Sequence, residues 1–89
     1  MSIAELLEII WRVIEAASGQ APRSELKNSY TKLREFGIND PYKVKVFAEV
    51  LNHELGHRIS PGTTRWLLSE GGGEITIGDV LASIPHSYD

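Results

Sequence analysis

The sequence contains no cysteine. That excludes disulfides and thiolate zinc cages, the staples on which small secreted domains depend. It also lacks any apolar run approaching the roughly 20 residues that a membrane-spanning helix needs. Basic residues are not in excess: nine Lys and Arg face twelve Asp and Glu, for a net charge of −3. A clustered cationic face for phosphate backbones is therefore missing, and no nucleic-acid partner is expected. Met1-Ser2-Ile3-Ala4-Glu5 has no basic stretch ahead of an apolar core, so it does not read as a secretory leader. A cytoplasmic location and no membrane partner are the expectation. Neither an internal repeat nor a low-complexity tract is present. What is present is the 42% hydrophobic and 24% charged composition of a globular chain, in 89 residues, which suits a single domain over 1–89. A chain of this size buries only about 60–65% of its unfolded surface, so packing alone must hold it together.

Helical punctuation dominates the pattern. Ser2 is placed to cap a first helix, with Glu5 three residues later to complete a capping box. Ile3, Leu6, Leu7, Ile10, Val13, Ile14 and Ala17 then recur at helical spacing, and Gly19 supplies a left-handed stop. The expected helix covers residues 3–17. Residues 19–40 read mostly as connection, with Ser24 able to cap one or two turns through Tyr30 and with Leu33, Phe36 and Ile38 spaced as anchors. A connection of this length is uncommon and often functional. Asp40-Pro41 then announces a second helix: Asp favours the cap, and Pro favours the first helical position, where its missing N–H costs nothing. Val44, Phe47, Ala48, Leu51 and Leu55 form its inner face, and its expected span is 41–57. Thr63 or Thr64 can cap a short helix through Trp66, Leu67 and Leu68, ended by Gly71–Gly73. Thr76 and Asp79 form a second capping box before a closing helix whose inner face is Val80, Leu81 and Ile84, and Pro85 ends it. The fold class is all-α, with four helices.

This order of elements resembles the acyl carrier protein family. The specific residues are Phe36-Gly37-Ile38-Asn39-Asp40, similar to the family's apolar-Gly-x-Asp-Ser-Leu entrance to its second helix when aligned on Asp40, with one residue more between Gly37 and Asp40 than that pattern has. Phe47 through Pro61 then look like the family's second helix running into an Ile-x-Pro exit at Ile59-Ser60-Pro61. Thr76-Ile77-Gly78-Asp79-Val80 is similar to the start of its last helix. The resemblance implies a four-helix bundle with a long loop between helices 1 and 2 and a short third helix. It also implies partners such as a synthase, ligase or transferase of fatty-acid or polyketide-type synthesis, and an acyl chain stored in the core between helices 2 and 3.

Three departures qualify what the family would do. Its serine, which bears phosphopantetheine, follows the capping Asp, and here that position is Pro41. A proline keeps the helix start but has no hydroxyl to attack coenzyme A, so no phosphopantetheine is expected. Secondly, between Asp40 and Arg58 the charges cancel: Asp40, Glu49 and Glu54 against Lys43, Lys45 and Arg58. The acidic field that steers such carriers to basic enzymes is therefore largely missing. Thirdly, the third-helix region is longer than the family's and contains Gly71–Gly73. The expected function is a non-catalytic docking module, with Lys43, Lys45, Val46 and Val50 as the partner-facing residues of an exposed stripe. A true carrier modified elsewhere is the alternative, although neither Ser29 nor Ser60 has a context that recommends it.

His53-Glu54-Leu55-Gly56-His57 satisfies H-E-x-x-H, in which two histidines one helical turn apart bind zinc and the Glu activates its water. A small zinc-dependent hydrolase is thus the second alternative. The third ligand would have to come from Glu70, Glu74, Asp79 or His86, and Gly56 weakens the turn before His57. The favoured reading of His53 and His57 is a solvated helix face, with no zinc expected. Trp11, Trp66, Leu67 and Leu68 are placed either to line a ligand pocket or to fill the core, and packing is the favoured reading.

Overall fold

A computed structural model describes residues 2–56 and 74–84. Their chain order is α1 (Ile3–Ser18), a 3-10 turn (Ser24–Leu26), a second 3-10 turn (Leu33–Phe36), α2 (Pro41–Glu54) and α3 (Ile77–Ser83). The described residues are all-α: three α-helices, with no strand beyond the isolated antiparallel bridge of Lys32 with Thr76. The short helix expected from Thr63 or Thr64 through Leu68 lies outside the described residues.

Each α-helix begins at the predicted cap. The Ser2 hydroxyl accepts from the Glu5 N–H (3.2 Å) and donates to the Glu5 carboxylate (3.3 Å). At α2 the Asp40 carboxylate accepts from the Lys43 N–H at 2.8 Å, and Pro41 occupies the first turn. At α3 the box closes in both directions: the Asp79 N–H donates to the Thr76 hydroxyl and the Thr76 N–H to the Asp79 carboxylate, each at 3.1 Å. Such caps contribute about 0.5–2 kcal/mol each. Gly19 closes α1 at φ 82°, where its N–H donates to the Glu15 carbonyl at 2.9 Å.

Two spans differ from expectation. α2 ends at Glu54 rather than 57, because Leu55 caps it and Gly56 turns left-handed at φ 65°. Around Ser24 only one 3-10 turn forms, capped by the Arg23 backbone and by no side chain, so Ser24 is not the cap. The second 3-10 turn was not foreseen. There the Lys32 N–H donates to the Glu35 carboxylate at 2.8 Å, and Gly37 terminates the turn at φ 91°.

One core joins these pieces. Leu6, Ile10, Val13 and Ile14 of α1 pack with Val44, Phe47, Ala48 and Leu51 of α2. Leu33, Phe36 and Ile38 enter from the long connection, as their spacing suggests, and Ile75, Ile77, Val80 and Ile84 close the other side. A backbone strap fastens the connection to the start of α3. Leu33 N–H donates to the Ile75 carbonyl (2.8 Å), Ile77 N–H to that of Thr31 (3.0 Å), and Gly78 N–H to that of Ser29 (2.9 Å). No helix among the described residues is long and apolar enough to cross a membrane.

Candidate functional site

The site of interest is the junction where the connection enters α2. Gly37, left-handed at φ 91°, turns the chain so that Ile38 drops into the core. Asp40 is extended (φ −131°, ψ 160°) and spends its carboxylate on the Lys43 N–H. Pro41 follows at the helix start and is exposed. Its fixed φ is compatible with this position, and no backbone donor is lost there. The junction therefore presents a rigid pyrrolidine ring to solvent.

Beyond Pro41 the helix shows solvent a mixed face. Tyr42 is 75% exposed, an aromatic that the sequence reading did not single out. Lys45 is exposed and pairs loosely with Glu49 at 4.0 Å, one turn on. Lys43 is half-buried, and no acidic residue stands in the first turn of α2. Val46 and Val50 are half-buried rather than exposed, and Val50 packs against the core. The expected stripe is thus partly shielded, because Val50 lies on the boundary between the buried and solvent faces. Its visibility rests on Tyr42, whose signal in the sequence was an aromatic placed one turn before Val46.

The metal reading meets the structure only in part. His53 is exposed in the last turn of α2, and His57 and His86 lie outside the described residues. Two of the candidate third ligands are otherwise engaged. Asp79 caps α3, and Glu74 pairs with Lys32 (2.8 Å) and Arg34 (3.3 Å). The Lys32 hydrogen bond holds the Glu74 carboxyl below its usual range; burial opposes it, and the Arg34 and Lys32 charges add smaller lowering effects. Glu70 is outside the described residues. Among the described residues no three His, Asp or Glu side chains come together as a metal cluster.

Trp11 is half-buried against the core, its ring 6.0 Å from that of Phe36 at a 47° tilt, with the Lys27 ammonium 5.9 Å from its centroid. Trp66, Leu67 and Leu68 are outside the described residues. An open cleft of about 290 Å³ lies beside this aromatic pair, lined by Pro22, Leu26 and Phe36 with Arg23 and Arg34 at its rim. Both arginines face carboxylates of the same chain, Arg23 that of Glu25 and Arg34 that of Glu74. Ser29, one alternative attachment point, gives its carbonyl to the strap, and Ser60 is not among the described residues.

Comparison with protein-family models, with curated proteins and with solved structures finds no match for this chain.

Proposed function

We propose that this chain is an acyl-carrier-protein-like docking module that carries no phosphopantetheine. The observation that supports this reading is Pro41 at the start of α2, directly behind the Asp40 cap. In the resembling family that place belongs to the serine whose oxygen takes the prosthetic arm. A pyrrolidine has no nucleophilic oxygen, so the covalent step of carrier chemistry cannot occur there. Binding remains. The face beginning at Pro41, with Lys43, Lys45, Val46 and Val50, is the docking surface, and a synthase, ligase or transferase of fatty-acid or polyketide-type synthesis is the partner class. In this reading the fold is a four-helix bundle, with the short third helix expected from Thr63 or Thr64 through Leu68, and the protein is not an enzyme.

The test is incubation of the native chain with coenzyme A and a broad-specificity phosphopantetheinyl transferase, followed by intact-mass measurement. The expected result is an unchanged mass. A stoichiometric gain of one phosphopantetheinyl group would overturn the proposal in favour of a carrier modified at another residue. Metal analysis of the purified chain tests the remaining alternative: one zinc per chain, lost in His53→Ala, would favour the hydrolase.

A further inference from the structure

We propose that the solvent face of α2 is a homodimer interface, on which a second copy of this chain packs its own α2 antiparallel. This inference is independent of the carrier-like reading. At about 100° per residue, Tyr42, Val46 and Val50 recur at i, i+4 and i+8, running from exposed Tyr42 to the boundary position Val50, which packs in part against the core. They form a narrow apolar ridge of the kind that seats between the ridges of a second helix. Tyr42 is 75% exposed, and the valines are half-buried within their own chain.

Charge identifies the occupant. Lys45 and Glu49 border one side of the ridge, and Lys43 and Glu54 border the other. On both sides the cation stands toward the N-terminal end of the helix and the anion toward the C-terminal end. A partner helix of a single charge sign would gain at one end and be repelled at the other. An antiparallel copy of the same helix is complementary at both. With the two-fold axis level with Ala48, Val46 meets Val50 of the second copy, Lys45 meets its Glu49, and Lys43 meets its Glu54. Each pair falls within two residues of the same level, about 3 Å at 1.5 Å per residue. This is the self-complementary contact that two-fold symmetry requires.

Strength and competition follow from the geometry. The four bordering charges sum to zero, so the net charge of −3 does not concentrate repulsion at this face. The intrachain Lys45–Glu49 pair is long at 4.0 Å, and its side chains are 63% and 64% exposed. Such a contact is worth little and leaves both groups able to reach across. A 14-residue helix spans only about 21 Å, less than a standard interface uses, so the dimer is weak and reversible.

Sedimentation velocity from about 10 μM to 1 mM, where weak complexes populate, tests this at about 20 mM and 500 mM salt. The wild-type chain should shift toward dimer with rising concentration at low salt and less so at high salt. Lys45→Glu should weaken the dimer by about tenfold or more, because it faces Glu49 of the second copy. The paired exchange Lys45→Glu with Glu49→Lys should restore it to within about threefold, since a complementary pair has been rebuilt. Val46→Asp should abolish it. Lys45 is exposed, so the charge-exchange arm stands even if Val46→Asp loses helix by circular dichroism. A wild-type chain that stays monomeric at the highest concentration and low salt would overturn the proposal. So would a paired exchange that fails to recover dimer, or a dimer that persists in a folded Val46→Asp variant.

Discussion

Truncation of Leu33 to alanine tests whether the long connection belongs to the core. A connection that merely spans two helices would tolerate the loss. Here Leu33 is fully buried among residues of both helices and of the strap, although it sits in a four-residue 3-10 turn. Leu33→Ala removes three carbons, about 2.4 kcal/mol of transfer free energy at roughly 0.8 kcal/mol each. The cavity left behind raises the cost to about 3–5 kcal/mol. A domain of this size has only about 5–10 kcal/mol in total, and each kcal/mol moves its midpoint by about 4–8 °C. Leu33→Ala should therefore lower the thermal midpoint by about 12 °C or more, followed by circular dichroism at the helical band. Tyr30→Ala, three residues upstream, is the control. Tyr30 is 86% exposed, and its truncation should cost less than about 0.5 kcal/mol. Equal effects from the two substitutions, or a Leu33→Ala cost under about 1 kcal/mol, would refute the assignment of this segment to the core.

Three further outcomes follow from the geometry. Gly78→Val should destabilise by about 1–3 kcal/mol in urea titration, because even a Cβ at this position would stand 3.1 Å from the Ser29 carbonyl oxygen, itself fixed by the Gly78 N–H. Gly37→Ala should cost about 1–2 kcal/mol in the same assay, since φ there is 91° although the nearest neighbour among the described residues, the Ser18 Cβ, stands at an ordinary 3.8 Å. The Glu74 carboxyl is lowered in the fold, chiefly by its hydrogen bond from Lys32, so its contribution is present above the ordinary carboxylate range and is lost as pH falls through the lowered value. Thermal melts of wild type and Glu74→Gln should accordingly differ at neutral pH and low salt, and converge as acid or salt is added. A difference that persists undiminished in acid would contradict the ion-pair assignment.

The helix starts were legible because their chemistry is local. Ser2 with Glu5, Asp40 with Pro41, and Thr76 with Asp79 each place a cap and its response within three residues. The inner faces followed from spacing, and Val44, Phe47, Ala48, Leu51 and Leu55 are all buried. The strap was not legible. It pairs the segment around Lys32 with that around Thr76 through one isolated bridge, and a single bridge leaves no alternating pattern in the sequence. The Glu74 ion pairs joined residues some forty positions apart for the same reason. At the candidate site, Pro41 and its cap could be read directly. The half-burial of Val46 and Val50 could not, because a helical wheel gives a direction but not the depth to which neighbours cover a boundary position.

The central claim is that Pro41 occupies the place of a reactive serine, and Pro41→Ser tests it most directly. Serine beside an intact Asp40 cap should leave the helix content nearly unchanged by circular dichroism. Intact-mass measurement after incubation with coenzyme A and a broad-specificity phosphopantetheinyl transferase should show no added phosphopantetheinyl group on the native chain, while Lys43 and Lys45 oppose the transferase on Pro41→Ser. A native chain that takes up the group, or a Pro41→Ser chain that loses much of its helix, would contradict the account.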